Sequence, residues 1–166
     1  PGYNYGWNTM EGNHCYPAGT TCNPEGFEPP IYEYPLYVNG VCSVTGGFVY
    51  RGADMISLYG KYIYGDWCTG DIWALTYASD GNHTNEHILL SGINITSFGL
   101  DQNSELLICA NSTIYQLTSD EDPGSIGDLN QDGIINVQDI IISINIILGE
   151  VANNYELWSG DLNQDG

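Results

Sequence analysis

The hexapeptide DLNQDG occurs twice, at Asp128–Gly133 and again, letter for letter, at Asp161–Gly166, 33 residues later. Chance does not repeat six residues so closely, and the surrounding positions give the repeat a physical meaning. Counting from Asp128 as position 1, oxygen-bearing side chains fall at 1 (Asp128), 3 (Asn130), 5 (Asp132), 9 (Asn136) and 12 (Asp139). Ile134 at position 7 would offer its backbone carbonyl, and Gly133 stands at position 6, where the chain must turn sharply. Those are the offsets at which a twelve-residue loop wraps hard oxygen ligands around calcium. Magnesium, which demands a tighter octahedron, suits such a flexible cage less well. In the second copy Asp161, Asn163 and Asp165 take positions 1, 3 and 5.

Behind the first loop the hydrophobic period becomes helical. Val137–Leu148 reads VQDIIISINIIL, with Ile140, Ile141, Ile144, Ile147 and Leu148 along one face and Gly149 as a stop. Isoleucine is a modest helix former, so this helix depends on tertiary packing. The acidic SDEDPGS segment at 119–125 reads as a linker, which predicts two domains, 1–122 and 123–166. Position 12 carries Asp139 in place of the bidentate Glu of a helix–loop–helix EF-hand. A D-x-N-x-D-G loop with Asp at position 12 and a single following helix resembles the dockerin type I family. The resemblance implies a small α module of two loop–helix segments related by a pseudo-two-fold. It also implies a cohesin-like or cell-surface partner, recognised through positions 10 and 11. Those positions hold Val137 and Gln138 rather than the Ser/Thr of many cellulosomal dockerins, which points to attachment outside a cellulosome.

Charge narrows the partners further. The chain has 21 acidic residues against two basic ones, Arg51 and Lys61, for a net charge of -19. Phosphate neutralisation needs Lys/Arg clusters, so nucleic acid is excluded as a partner, and an anionic membrane surface is equally unsuitable. Bound cations would relieve the self-repulsion. A hydrophobic content of 42% and 13 tyrosines argue for a packed protein rather than a disordered one. The longest apolar run, Ile140–Leu148, is too short to span a bilayer. A start at Pro1 and a stop inside the second motif read as a fragment of a longer protein.

Five cysteines lie outside any C-x-x-C spacing. Cys15 and Cys22 flank a turn and can close a short disulfide; Cys68 and Cys109 form a second candidate pair, leaving Cys42 over. Disulfides would place the chain outside the cytoplasm, secreted or at the cell surface; buried free thiols are the alternative. Asn82, Asn94 and Asn111 head N-x-S/T sequons that matter only in a eukaryotic host.

Residues 1–30 read as loop with short strands, being rich in Gly, Pro, Asn and Tyr. From there to residue 118 the chain is mainly β. Strand-like runs fall at Ile31–Val38, Ser43–Tyr50, Lys61–Trp67, Asp71–Ala78, His87–Leu90, Ile95–Phe98, Glu105–Ala110 and Thr113–Leu117. Such short, regularly spaced strands predict a sandwich, barrel or propeller, not a βαβ fold. GKYIYGDWCTGDIWAL at 60–75 and ELLICANSTIYQL at 105–117 look like two copies of a strand–turn–strand unit, as propeller blades do.

SVTGGFVYRG at 43–52 and GKYIYGD at 60–66, with NYGW at 4–7, PPIYEY at 29–34 and ITSFG at 95–99, carry a wider resemblance. Over residues 3–118 the chain resembles the C-terminal part of the glucose/sorbosone dehydrogenase family. That implies the last blades of a six-bladed β-propeller using pyrroloquinoline quinone (PQQ) and calcium to oxidise a sugar. The family's histidine base and calcium ligands belong to earlier blades, so the resemblance assigns no catalytic residue here. His14, His83 and His87 do not match the base and read as surface histidines. Arg51 is the one residue carried across, as a cofactor-binding cation for the anionic quinone. It would equally serve as a structural partner of Asp54 or Asp66. Gly99–Leu107 and Gln116 depart from the family's last-blade pattern. A secreted quinoprotein with a dockerin tail is thus one expectation. A non-catalytic carbohydrate- or protein-binding propeller and a calcium-stabilised structural component are the others.

Overall fold

A computed structural model describes residues 2–120 and 124–162. The boundary expected near residue 122 falls outside the described residues, as do Asn163 and Asp165 of the second loop. Two compact units are present, 1–36 and 37–166.

The first unit is mostly irregular. Its one ladder is a two-stranded hairpin, β1 (Met10–Glu11) with β2 (His14–Cys15), turning through Gly12 at φ +59°. The Glu33 carboxylate lies over that turn, accepting the Asn13 N–H at 2.8 Å, with His14 Nε2 3.3 Å away. The Asn13 N–H and the His14 imidazole hold the Glu33 carboxyl below its ordinary range. Cys15 and Cys22 form a disulfide, as their spacing predicts.

The second unit is mainly β. A four-stranded antiparallel sheet runs β3 (Val44–Val49), β4 (Tyr62–Asp66), β5 (Asp71–Tyr77) and β6 (His83–Leu90), in that spatial order. A three-stranded antiparallel sheet follows, β7 (Ile95–Leu100), β8 (Leu106–Ala110) and β9 (Thr113–Gln116). The two strand–turn–strand units become the hairpins β4–β5 and β8–β9, with Tyr64 opposite Trp73 and Ile108 opposite Tyr115. No barrel is closed among the described strands.

Alternation decides which side chains turn inward. Ile63, Ile72 and Ala74 from the first sheet join Ile95, Phe98, Leu106 and Ile108 from the second in one core. Thr45 Oγ1 donates to the Ile95 carbonyl at 3.0 Å, bonding the sheets at their shared edge. Gly47 sits at a break in the β3–β4 register, where a Cβ would collide with the Ile63 carbonyl; glycine is required for that approach. On the opposite face Tyr62, Tyr64, Trp73 and His87 form a ladder of ring contacts across β4, β5 and β6.

Two expectations are corrected here. Ile31–Val38 is not a strand: Pro29, Pro30 and Pro35 remove N–H donors, and Tyr37 and Asn39 lie at positive φ. The second disulfide joins Cys42 to Cys68, and Cys109 is the free thiol. The register explains the pairing. Val44 lies opposite Asp66, so Cys42 and Cys68 stand just beyond the paired ends of β3 and β4, with Cα atoms 5.7 Å apart. Cys109 is in the other sheet, opposite Ser97 and Ile114.

Two short helices complete the unit, α1 (Val137–Ile147) and α2 (Asn154–Gly160). α1 forms where its period predicts, yet Ile140, Ile141, Ile144, Ile147 and Leu148 remain exposed. α2 is seated instead. Its Tyr155 and Trp158 pack with Ile56 and Tyr59, from and beside a single helical turn at Ile56–Leu58. Ala53 and Ile126 flank that cluster.

Candidate metal centre and the Arg51 segment

The first loop is organised by its own side chains. Asp128 Oδ2 accepts the Gly133 N–H at 2.9 Å and Asp128 Oδ1 the Asp132 N–H at 3.2 Å. Gly133, at φ +81°, supplies the left-handed turn that bends the loop back over Asp128. Asn130, Asp132 and Asn136 each accept the N–H two residues on, a run of Asx turns winding the loop in one sense. Asn136 Nδ2 donates to the Ile134 carbonyl at 3.0 Å, so positions 7 and 9 are neighbours in space.

Asp139 closes the loop and starts the helix. With Asn136 as N-cap it completes a capping box on α1, accepting the Asn136 N–H on Oδ2 at 2.8 Å. Its Oδ1 accepts the N–H groups of Leu129 and Asn130 at 2.8 and 3.2 Å. The Asn136 N–H, with those of Asn130 and Leu129, holds the Asp139 carboxyl below its ordinary range despite burial.

The donor set fits a hard cation. It is all oxygen, with two buried carboxylates, Asp128 and Asp139, and no basic side chain within ion-pair distance among the described residues. The three loop carboxylates are not gathered within 4.8 Å of one another; the one such cluster among the described residues is Cys42, Asp66 and Cys68. That cluster is no metal site, because its sulfurs are bonded to each other and Asp66 is saturated by N–H donors.

In the second loop Asp161 caps the C-terminus of α2 and accepts the Tyr59 hydroxyl on Oδ2 at 3.0 Å. Asn163 and Asp165 lie outside the described residues.

Arg51 is half-buried between the β unit and Tyr59. Its guanidinium lies over the Tyr59 ring, 5.0 Å from the centroid, and Nη1 donates weakly to the Tyr50 carbonyl at 3.4 Å. It pairs with neither Asp54 nor Asp66. The backbone around it is fixed by buried Glu105, which accepts the N–H groups of Ala53 and Asp54 at 2.7 and 3.0 Å and the Tyr50 hydroxyl at 2.5 Å. The other cation, Lys61, pairs with Glu86 at 2.9 Å beside a cavity of about 260 Å³ also lined by Met55, His87 and Leu117. His87 is paired with Asp71 at 2.7 Å. Both cations of the chain are thus engaged within it, Arg51 with Tyr59 and Lys61 with Glu86. His14 and His87 are both exposed and paired with carboxylates.

Sequence reasoning missed the Ile56–Tyr59 turn and α2. A readable signal existed for α2: Asn153 and Glu156 form a capping box, at the spacing that box requires.

No protein-family model matches the chain. The chain is similar to the HIPL2 protein of Arabidopsis thaliana, 28% identical over 148 residues, covering 70% of this chain and 21% of that relative. It thus spans about a fifth of the relative's length. No helix among the described residues is long and apolar enough to cross a membrane.

Proposed function

We propose that residues 123–166 are a calcium-binding tail of the dockerin type, carried by the last blades of a sugar dehydrogenase-like β-propeller, and that the tail attaches the protein to a cohesin-like or cell-surface partner. The observation carrying the calcium reading is the first loop. Asp128 is bent onto the Gly133 and Asp132 N–H groups while Asp139, eleven residues on, caps the following helix. Oxygen ligands at positions 1, 3, 5, 7, 9 and 12 are what a calcium loop requires. The two disulfides support an oxidising, extracytoplasmic setting.

The test is titration calorimetry on a chain carrying both loops complete. Calcium heat at two sites, lost at one of them in Asp128→Asn, is the expected result. No heat with calcium would sink the reading.

The propeller reading draws on two antiparallel sheets built from like hairpins and on the SVTGGFVYRG and GKYIYGD motifs. The quinone-dependent dehydrogenase reading rests on that sequence resemblance alone, and Arg51 is the one described residue it would assign to the cofactor. Dye reduction by aldoses in the full-length protein, supplied with quinone and calcium, tests it; absence of both turnover and quinone binding would reject it. A non-catalytic propeller binding carbohydrate or protein is the second reading. It is favoured by the engagement of Arg51 with Tyr59 and of Lys61 with Glu86.

A further inference from the structure

The segment leading into the first loop, residues 124–129, lies along α2. A Cβ at Gly124 would meet the Tyr155 ring, and the Ser125 N–H donates to the Tyr155 hydroxyl at 3.3 Å. Ile126 packs on the cluster of Ile56, Tyr59, Tyr155 and Trp158. The Gly127 N–H donates to the Ser159 carbonyl at 2.7 Å. Leu129 Cδ2 reaches to 3.9 Å from where a Cβ on Gly160 would stand.

Leu129 therefore faces two ways. Its N–H donates to Asp139 Oδ1 at 2.8 Å, inside the loop, while its buried side chain rests against the end of α2.

We propose that Leu129 is a positioning residue that links the first loop to α2, so that a divalent cation held by Asp128 and Asp139 strengthens the seating of α2 on the 53–59 segment and is itself bound more tightly when α2 is seated. The link presupposes the calcium reading of the tail.

Asp128, Asp132 and Asp139 place three negative charges in one short loop, and Asp128 and Asp139 are buried. A divalent cation among their oxygens offsets that repulsion. What it steadies is the backbone at 128 and 129, and the next contact of that backbone is α2. The helix is held in turn by Asn154 Nδ2, which donates to the Ser57 carbonyl at 3.0 Å, and by Tyr155 and Trp158 against Ile56 and Tyr59. The contacts thus run unbroken from the loop carboxylates through Leu129 and α2 to the 3₁₀ turn at Ile56–Leu58. Seated and unseated α2 are the two states. A cation that favours the seated one is favoured by it to the same degree, because linkage is reciprocal. Loosening the seat should then lower the apparent affinity of a loop whose own residues are untouched.

The 166-residue chain contains the whole first loop and serves as the sample. Calorimetry with calcium chloride gives the Kd, and amide exchange over 154–160, in calcium or in chelator, reads the seating of α2. Ile56→Ala and Asn154→Ala loosen the seat from outside the loop, and Leu129→Ala cuts the link. Calcium should slow exchange over 154–160 in the parent. The Kd should rise roughly fivefold or more in Ile56→Ala, the lower end of measured couplings, and less in Asn154→Ala, which removes one hydrogen bond. Leu129→Ala should still bind calcium, yet calcium should slow exchange over 154–160 much less than in the parent. If Ile56→Ala does not fold, Asn154→Ala decides. A parent-like Kd in the seat variants would overturn the proposal and leave the calcium reading intact. So would exchange over 154–160 that ignores calcium in the parent, or a full calcium effect surviving in Leu129→Ala. No calcium heat in this chain would also overturn it, whereas the calcium reading falls only if the chain with both loops complete is silent too.

Discussion

The Glu105 carboxylate accepts the Tyr50 hydroxyl at 2.5 Å, joining the end of β3 to the start of β8 across 55 positions of sequence. Both residues are buried, and the Tyr50 hydroxyl also accepts the Met55 N–H at 3.0 Å. Burial pushes the Tyr50 phenol up from its ordinary value, and the hydrogen bond to Glu105 adds to it, so the tyrosine stays neutral and donating. Tyr50→Phe removes that donor but leaves Glu105 its bonds from Ala53 and Asp54, so a loss of about 1–2 kcal/mol is expected. Glu105→Ala orphans all three donors at once and should cost about 3 kcal/mol or more. Urea midpoints of the two variants check the order; a Glu105→Ala variant as stable as Tyr50→Phe would contradict it.

The sheets were legible because their strands carry their own signals. Aromatic and β-branched runs broken by Gly, Asn or Asp place β3 to β9 within a few residues of where they form. α1 was legible from its period and its Gly149 stop; Asn136 and Asp139, read only as loop oxygens, also form its capping box. Cysteine pairing was not legible, because it depends on which strands neighbour which. Only the Val44–Asp66 register brings Cys42 to Cys68. The contacts of Arg51 were hidden for the same reason: Tyr59 is eight residues away, but it is the 3₁₀ turn at Ile56–Leu58 that returns its ring beneath the guanidinium. Asp161 stood out in the sequence as the first residue of the repeated hexapeptide, whereas its bond to Tyr59 required the tertiary fold.

Asp66 ties acid stability to the Cys42–Cys68 corner. Oδ2 accepts the N–H groups of Cys42 and Ser43 at 3.0 and 2.8 Å, and Oδ1 those of Cys68 and Thr69 at 2.8 and 3.1 Å. Burial alone would raise its carboxyl, but the N–H groups of Ser43, Thr69, Cys42 and Cys68 outweigh burial and hold it below the ordinary carboxylate range. A depressed folded value means stability that is complete above the unfolded value, about 3.9, and lost as pH falls through the folded one. Asp66→Asn places an NH₂ against two N–H donors, so a cost of about 2–4 kcal/mol at neutral pH is expected. The variant should also lose stability less steeply below pH 4 than the parent. Parallel denaturation series from pH 3 to 7 would show the curves converging in acid; a constant gap would refute the assignment.

The disulfide pattern makes a chemical prediction. Alkylation under denaturing, non-reducing conditions should modify one cysteine, Cys109, and peptide mapping should recover Cys15–Cys22 and Cys42–Cys68 as linked pairs. Replacing Cys42 and Cys68 together opens a loop of separation 26 and should cost about 3.5 kcal/mol in the chain-entropy picture. Cys109→Ser should leave both bonds in place. A linked peptide containing Cys109 would refute the register argument.

The first loop's residues fall into two kinds, and the proposed calcium site predicts that a chelator will separate them. Asp132 is exposed, and its hydrogen bonds stay within the loop, to Ile134 N–H and Asn130 Nδ2. Asp139 is buried and caps α1 whether or not a cation is bound. In excess chelator, Asp132→Asn should therefore unfold close to the parent, while Asp139→Asn, which sets an NH₂ against the N–H donors of Leu129 and Asn130 or of Asn136, should be weaker by about 2 kcal/mol or more. With calcium at about a hundred times its Kd, linkage adds about 2.7 kcal/mol to the parent. For a chain of this size that raises the midpoint by roughly 5–10 °C. Both variants should forfeit most of that gain, and magnesium at the same concentration should produce less of it. Thermal unfolding with calcium, magnesium or chelator reads all of these outcomes. A calcium-dependent rise that survived in both variants would place the cation elsewhere than on Asp132 and Asp139.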